Sequence, residues 1–206
     1  MARRPLMDPP PIPSPQRADS QQIVAAVVAA AIELGPDAPL SEIAERAGVG
    51  TASLHRYFPT VASIFAEVSR QMYRTVLEQV RAILAKPDQD LRSALREVCQ
   101  TAFDGPGVSL DYRRKLNLDL PLSWSKGLAE AVYVEMLDEI TTWLAGQLPD
   151  PPADLSTRVF VAFSYVRGSV LVSLLYPALS PSREVLIHHL VETLMQVLSR
   201  SSSSAD

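Results

Sequence analysis

The stretch from Leu40 to Phe58 constrains the fold most, because it contains two short helical patterns joined by a glycine. Apolar residues recur at helical spacing on both sides of that glycine: Ile43, Ala44 and Ala47 before it, and Leu54 and Phe58 after it. Gly48 supplies the conformational freedom for a sharp turn, and Pro59 ends the second pattern. The stretch therefore has the form of a helix-turn-helix.

The bulk properties are those of a folded protein with a large core. The chain has 206 residues, of which 47% are hydrophobic, and this length suits one large domain or a small domain joined to a larger one. Cys99 is the single cysteine, so an intramolecular disulfide is excluded, as expected in a reducing cytosol. Its apolar neighbours favour a buried thiol that fills space, and a redox sensor or nucleophile is the alternative.

The sequence favours a cytoplasmic protein with no membrane partner. The most apolar run, Val159–Leu175, is interrupted by Arg167 and Gly168, so a buried interface helix explains it better than a membrane span. The N-terminus has arginines at positions 3 and 4 followed by a proline-rich run. It lacks the apolar stretch of a secretory signal.

Helical periodicity and its stop signals predict an all-α chain. Residues 1–18 are rich in proline and are predicted to form a flexible arm. A first helix is predicted over Ser20–Leu34, with Gly35 and Pro36 ending it, and Pro39 suits the first turn of the next helix. Further helices are predicted over Ser63–Lys86, Asp90–Phe103, Leu110–Leu118, Ser125–Leu148, Leu155–Tyr176 and Arg183–Leu198.

Several short motifs in the first third of the chain carry a family resemblance. An alanine-rich helix ends at Gly35, and the chain then contains, in order, Ile43-Ala44, Ala47-Gly48-Val49, Leu54 and Tyr57-Phe58-Pro59. In this order and spacing the segment resembles the TetR family of transcriptional regulators. The resemblance implies a three-helix, DNA-binding helix-turn-helix head over residues 19–62, joined to a helical ligand-binding and dimerisation domain over residues 63–198. The serine-rich residues 199–206 are predicted to be a disordered tail.

Two positions depart from the family pattern, and the head is acidic. His55 stands where the family usually has tyrosine, and Val61 stands where a lysine or arginine commonly follows the Phe-Pro corner. From Arg17 to Thr60 the chain has three arginines against five acidic residues, a net charge of −2. Because phosphate neutralisation supplies much of the affinity of DNA-binding proteins, we expect weak binding or a shallow dependence on salt.

The second helix of the motif is the predicted recognition helix. Leu54 and Phe58 point into the head, which leaves for the major groove Thr51, Ala52, Ser53, His55 and Arg56. Arg56 is predicted to bond a guanine edge, with a solvated charge at a helix end as the alternative. The resemblance gives Tyr57 a phosphate contact, with core packing as the alternative. Arg17 is predicted to reach the minor groove from the arm, unless it is merely solvated.

Aromatic and soft residues concentrate in the second region and predict an apolar ligand cavity with few polar anchors. The predicted lining residues are Phe103, Tyr112, Trp124, Tyr133, Met136, Trp143 and Phe163. Taken singly, each of them is better explained as core. Arg167 lies inside an apolar helix, so we expect it to pair with an anionic ligand or with an acid at a subunit interface. The basic run from Arg113 to Lys115 is predicted to be a solvated face, with a gate for an acidic ligand as the alternative.

The last two predicted helices are hydrophobic nearly all round, so they need burial on more than one side. Along the helix predicted over Leu155–Tyr176, small residues lie near one line at Ala162, Ser169 and Ser173, with Gly168 beside it. Along the helix predicted over Arg183–Leu198, leucines recur every four residues, at Leu186, Leu190, Leu194 and Leu198. Two such helices from each of two chains make a four-helix bundle, as in the resembling family. A homodimer that binds a palindromic double-stranded operator is therefore expected.

The sequence contains no arrangement that predicts catalysis, a cofactor or a metal site. His188 and His189 are adjacent on a predicted helix, so they point in different directions and are expected to be exposed or interfacial. The resemblance implies a regulator that is not an enzyme: a repressor released from its operator by a small apolar or amphipathic effector. The alternative is a ligand-binding or interaction protein of the same fold whose DNA binding is weak or lost.

Overall fold

The computed structural model describes residues 18–105, 107–119 and 122–199, and within them it contains nine α-helices, one short 3-10 turn and no β-strand. The helices are α1 (Ala18–Leu34), α2 (Leu40–Arg46), α3 (Thr51–Tyr57), α4 (Val61–Leu84), α5 (Leu91–Asp104), α6 (Leu110–Asp119), α7 (Leu122–Gln147), α8 (Leu155–Leu175) and α9 (Arg183–Ser199), with the 3-10 turn at Pro177–Leu179. The predicted all-α class is confirmed. The helix ends predicted above lie within three residues of the observed ones.

The chain divides into two compact units. The first unit contains the described residues up to Met72 together with those from Val108 to Ala129, and the second contains Tyr73–Gly107 together with those from Glu130 onward. The first unit therefore includes α6 as well as the predicted head. The assignment of DNA binding to residues 19–62 and of ligand binding to residues 63–198 stays a prediction.

One apolar cluster forms the core of the first unit. It combines buried residues of α1, α2, α3, α4 and α6, among them Val27, Ala31, Ile43, Leu54, Phe58, Ile64, Val68, Tyr112 and Leu116. Val61 packs against the same cluster and is partly buried. This packing is a physical reason for an apolar residue at a position where the resembling family commonly has a cation.

Local sequence sets the helix boundaries around the turn regions. Gly35 follows α1 with a φ of 94°, a left-handed conformation that favours glycine. Pro39 is the N-cap of α2, and its carbonyl oxygen accepts a hydrogen bond from the Ile43 amide at 3.1 Å. It therefore lies just before the first turn in which it was predicted.

α4 begins two residues before its predicted start because Thr60 and Ser63 cap it reciprocally. The Thr60 amide donates to Ser63 Oγ and the Ser63 amide donates to Thr60 Oγ1, both at 3.2 Å. The same exchange occurs in a capping box, although serine here takes the position that glutamate or glutamine usually holds. The sequence interpretation overlooked it for that reason.

A buried carboxylate lies in the first half of α4. Glu67 is 0% exposed, and both of its oxygens accept hydrogen bonds from the Arg70 guanidinium, one turn further along the helix. Gln71 donates to the same carboxylate at 3.4 Å. A buried charge is tolerated in proteins when it is paired and hydrogen-bonded in this way.

Helices α5, α8 and α9 build the largest apolar cluster of the second unit. Its buried members are Cys99, Ala162, Val166, Ile187, Leu190, Val191 and Leu194. The predicted leucine stripe of α9 therefore packs largely inside its own chain, since Leu190 and Leu194 lie in this cluster and Leu198 in the next. Ala162 of the predicted small-residue line also packs in this core, whereas Gly168 beside that line is exposed. The predicted dimer contacts of the two helices stay a prediction.

Helix α8 is only partly covered by its own chain. It is long and apolar enough to cross a membrane by length and composition, with a mean hydropathy of 1.5 over 18 residues, of which 17% are buried. Phe160, Tyr165 and Val172 are 58%, 46% and 50% exposed. Ser164 and Gly168 are exposed as well. The burial on more than one side that the sequence predicts is therefore not supplied by the described residues of this chain.

The single thiol provides a direct test of the α5, α8 and α9 core. Cys99 is 0% exposed, and burial raises the pKa of its thiol to about 11. Because the thiolate is the reactive form, we expect iodoacetamide at pH 8 to label the folded chain at least about a hundredfold more slowly than the urea-unfolded chain. Mass spectrometry of timed samples measures both rates. Similar rates in the two states would show that this core is open.

Candidate nucleic-acid interface

The turn between α2 and α3 has the geometry of a tight helix-turn-helix. Gly48 has a φ of 65°, and the chain reverses through two hydrogen bonds, from the Gly48 amide to the Glu45 carbonyl and from the Val49 amide to the Ala44 carbonyl, each at 3.0 Å. Gly50 then caps α3, and its carbonyl oxygen accepts a hydrogen bond from the Leu54 amide at 3.0 Å. The predicted turn at Gly48 is thus present, and only glycine adopts this conformation without strain.

Helix α3 has a buried side and an exposed side. Leu54 and Phe58 are 0% exposed, as the sequence predicts. The predicted groove-facing residues lie on the other side: Thr51, Ala52, His55 and Arg56 are exposed, and Ser53 is half-buried. The structure therefore brings all five together on one accessible face of a short helix.

Tyr57 connects the recognition helix to α1 and to Arg56. Its hydroxyl donates a hydrogen bond to Ser20 Oγ at 2.9 Å and accepts one from Arg56 Nη2 at 2.8 Å. The Arg56 guanidinium carbon also lies 4.8 Å from the centre of the Tyr57 ring. The ring of Tyr57 is partly buried against the head core, as the alternative of core packing predicts. Its hydroxyl orients Arg56, the residue predicted to contact a guanine.

Sequence reasoning missed Ser20 as the partner of Tyr57. Ser20 was predicted only as the start of the first helix, and the two side chains are 37 positions apart in sequence. The available signal was a pair of polar groups on two helices that must both cover the same apolar core. That signal is too weak to identify one pair among many.

Ion pairs already occupy much of the charge around the head. The Arg46 guanidinium donates to both oxygens of Glu33, including a 2.8 Å bond from Nε, and this hydrogen bonding raises the pKa of Arg46. Lys115 of α6 pairs with Asp37. The Arg46 and Glu33 side chains are both about half exposed, and surface pairs of this kind contribute little to stability. A phosphate can therefore compete for Arg46 at little cost.

The remaining predicted DNA contact falls outside the described residues. Arg17 precedes the first described position, Ala18. Its minor-groove contact stays a prediction from the sequence.

The predicted ligand residues do not form one set. Tyr133, Met136 and Phe163 pack in a shared cluster of the second unit, with the Tyr133 and Phe163 ring centres 4.9 Å apart. Phe103 packs with the Cys99 cluster and Trp143 with a third cluster that includes Leu144. Tyr112 belongs to the first unit, and the side chain of Trp124 lies outside the described part of the chain. Their ligand contacts stay predictions.

Arg167 lies on an exposed part of α8. Its guanidinium carbon is 5.1 Å from the centre of the Tyr133 ring. The face of an aromatic ring attracts a cation, so Arg167 interacts with Tyr133 within the chain. Its pairing with an anionic ligand or with an acid at a subunit interface stays a prediction.

The basic run of α6 is also not the solvated face that the sequence predicts. Arg113 is 7% exposed, and Arg114 and Lys115 are only partly buried. Arg114 pairs with Asp111, and Asn117 donates a hydrogen bond to the Arg113 carbonyl at 2.8 Å. Helical rotation explains the difference, because Arg113 lies beside the inward-facing Tyr112 and Leu116.

Tyr73 was missed as a member of the aromatic cluster of the second unit. Its ring centre lies 5.5 Å from that of Tyr133, edge to face. Burial raises the pKa of the Tyr133 hydroxyl well above its usual range. In the sequence, Tyr73 lies next to the apolar stripe of α4. Periodicity alone therefore does not show whether it points toward the core.

Comparison with known proteins identifies a family match inside the first unit. Residues 23–68 match the model of a family described as bacterial regulatory proteins, tetR family. The HTH-type transcriptional repressor LfrR of Mycolicibacterium smegmatis is 29% identical over 130 residues, which cover 62% of this chain and 66% of that protein. The chain thus spans just under two thirds of the length of this relative.

Solved structures show the same fold over nearly the whole chain. A TetR-family regulator from Mesorhizobium loti has a TM-score of 0.63 at 18% identity, covering 89% of this chain and 98% of that one. The structure of LfrR from Mycobacterium smegmatis in complex with proflavine has a TM-score of 0.54 at 20% identity, covering 89% and 100%. FadR from Bacillus subtilis in complex with stearoyl-CoA has a TM-score of 0.55 at 18% identity, covering 87% and 97%.

The link between Ser20 and Tyr57 leads to a stability prediction. We expect Tyr57→Phe to lower the free energy of unfolding by about 0.5–1.5 kcal/mol, because the hydroxyl loses two hydrogen bonds. The control is Val134→Ala, since Val134 is 64% exposed on α7 and its substitution should change the free energy of unfolding little. Urea unfolding at fixed protein concentration measures both changes. If Ser20→Ala and Tyr57→Phe have fully additive effects, the two side chains are not coupled.

Proposed function

Because the chain belongs to the TetR family of transcriptional regulators, we propose that it is a ligand-responsive repressor. In this proposal a homodimer binds a palindromic operator, and a small apolar or amphipathic effector releases it. The observation that carries the proposal is the exposed face of α3, where five candidate DNA-contacting side chains lie opposite the buried Leu54 and Phe58.

Arg56 is the proposed base-reading residue. Its guanidinium is exposed and is oriented by the hydroxyl and the ring of Tyr57. An arginine that is already oriented loses less conformational freedom when it forms the bidentate contact that suits a guanine edge. Thr51, Ala52, Ser53 and His55 are proposed to contact the groove around it, with Tyr57 near a phosphate and Arg17 in the minor groove.

The charge of the head supports moderate affinity with a shallow dependence on salt. Glu42 and Glu45 are exposed on α2, and Arg46 is paired with Glu33. Few counterions are released when few cations meet phosphate, so the salt slope should be small. Backbone amides at helix N-termini are the remaining phosphate donors.

The proposed effector site lies in the second unit around Tyr133, Met136 and Phe163. These residues offer an apolar, aromatic surface with the Arg167 guanidinium over one ring. The proflavine and stearoyl-CoA complexes of structural neighbours support an effector that is a small organic molecule. Phe103 and Trp143 are included as proposed contacts from the sequence.

The proposed dimer uses the uncovered side of α8 and the segment leading into α9. Exposed apolar residues continue along it: Phe160, Tyr165, Val172, Tyr176, Leu179 and Val185. Exposed Ser164 and Gly168 on the same helix permit close approach of a second helix. A continuous apolar face of this kind is typical of an interface, and a cytoplasmic dimer that buries it also accounts for the hydropathy of α8.

Release by an effector requires that it bind the two states of the dimer differently. A ligand with equal affinity for the DNA-bound and free forms shifts nothing, however tightly it binds. An effector that leaves operator affinity unchanged would therefore refute this part of the proposal.

The second candidate function is a ligand-binding or interaction protein that keeps the fold without useful DNA affinity. Two observations favour it: the acidic head, and Val61, which packs against the core where the family pattern has a cation. An enzyme has no support from the described residues, because no catalytic arrangement was found among them.

Fluorescence anisotropy with the DNA that flanks its own gene separates the two functions. We expect specific binding that persists at physiological salt, and Arg56→Ala should weaken it by about 1–3 kcal/mol and reduce its preference over scrambled DNA. Arg46→Ala is the matched control, since it removes the same charge from a residue held by Glu33 and should leave that preference intact. Absence of binding even at low salt would favour the second function.

Substitution of a single exposed valine tests the dimer. We expect Val172→Glu to convert the dimer to monomers, because an uncompensated buried charge costs about 3–5 kcal/mol. Val134→Glu is the control, since Val134 is 64% exposed on α7 outside the proposed interface. Sedimentation at several protein concentrations measures both variants. A Val172→Glu chain that stays dimeric would place the interface elsewhere.

A further inference from the structure

Tyr112 of α6 has a buried hydroxyl that finds no hydrogen-bond partner among the described residues. Its side chain is 0% exposed. The ring packs edge to face against Phe65 of α4, with centres 5.5 Å apart. Because buried hydroxyls in proteins are nearly always hydrogen-bonded, an unpaired one requires a reason.

Packing alone does not supply that reason. Phenylalanine would make the same edge contact with Phe65 and would avoid the cost of burying an unpaired polar atom. The other buried members of the surrounding cluster include Val68, Val108 and Leu116, which offer no polar side-chain atom. Packing against Phe65 therefore accounts for the ring of Tyr112 but not for its hydroxyl.

The surroundings define the chemistry of a molecule that would use it. Burial is the sole cause that raises the pKa of Tyr112 far above its usual range, so the hydroxyl stays protonated and is available to donate. Apolar neighbours penalise a charged ligand but accept a neutral one. A carbonyl or ether oxygen on an otherwise apolar molecule meets both conditions.

We propose that the Tyr112 hydroxyl is the polar anchor of a second small-molecule site in the first unit, beside α4 and α6, where it donates a hydrogen bond to a carbonyl or ether oxygen of an apolar molecule. This deepens the proposed function and rests on it for the regulatory role of the molecule. It assigns Tyr112 to a contact separate from the aromatic cluster around Tyr133.

A ligand at this position would act inside the core that holds the recognition helix. Tyr112 belongs to the same cluster as Leu54 and Phe58, and Lys115 fastens α6 to Asp37 in the segment between α1 and α2. Displacing the contact between Tyr112 and Phe65 would therefore disturb the packing under α3 directly.

A matched pair of probes tests the anchor. The full chain is titrated with 2-acetylnaphthalene, which has a carbonyl acceptor, and with 2-ethylnaphthalene, which has almost the same shape without it. Calorimetry should show a preference of about five- to tenfold for the ketone, as one neutral hydrogen bond provides. Tyr112→Phe should remove that preference, and Val134→Ala, at a position that is 64% exposed on α7 outside the proposed dimer interface, should retain it.

The variant's own stability keeps the test informative. Since the hydroxyl makes no hydrogen bond within the part of the chain that the structure describes, Tyr112→Phe should unfold at the same temperature as the parent or at a higher one. An unchanged preference for the ketone in Tyr112→Phe, failure of the parent to bind either probe, or a lower unfolding temperature, as loss of a bond to trapped water would cause, would each overturn the anchor.

The outcomes also separate this inference from the proposed repressor. Loss of the ketone preference in a chain that binds no operator would keep the anchor and refute the repressor. Specific operator binding together with an unchanged ketone preference would keep the repressor and refute the anchor.

Discussion

The burial of Leu54 and Phe58 is the interaction on which the candidate DNA interface depends. Helix α3 has only seven residues, and so short a helix is not stable alone in water. Its position is therefore set by two side chains that enter the cluster shared with α1, α2, α4 and α6. The exposed face takes its orientation from this burial, since residues between inward-pointing positions of a helix must point outward. Capping by Gly50 and the bond from Tyr57 to Ser20 then fix its two ends.

The sequence was sufficient to predict the helices but not the partners that cover them. Periodicity with glycine and proline stops placed the helix ends, and the Leu54 and Phe58 stripe predicted which way α3 turns. The same reasoning placed α6 with the ligand domain and offered the α9 leucines as part of a dimer interface. Both stay predictions, because a pattern shows which face of a helix is apolar, whereas the neighbour that buries this face is determined by three-dimensional packing. Leu116 packs with the head, and Leu194 packs near Cys99.

Polar side chains were the hardest to place from sequence. Arg167 was expected to pair with an anionic ligand or an interface acid, and its contact with the Tyr133 ring was not predicted. Arg113 was expected in solvent and is buried. Glu67 drew no attention as one acid among many, yet it is fully buried with Arg70. Long polar side chains adjust by several ångströms to reach a partner, so their environment depends on the exact relation of neighbouring helices. For the candidate site this means that its apolar frame was predictable and its hydrogen-bond network was not.

The two-sided character of α3 also bears on how a protein like this one evolves. Residues on its outer face, such as Thr51 and His55, are not needed to hold the helix in place, so substitutions there change little of the folding free energy. A duplicated gene can therefore drift toward a new operator without first losing its fold. Tyr57 is the exception, because its ring belongs to the core while its hydroxyl orients Arg56. Changes in operator preference should therefore arise often by substitution of the exposed residues near Tyr57 and only rarely by substitution of Tyr57 itself.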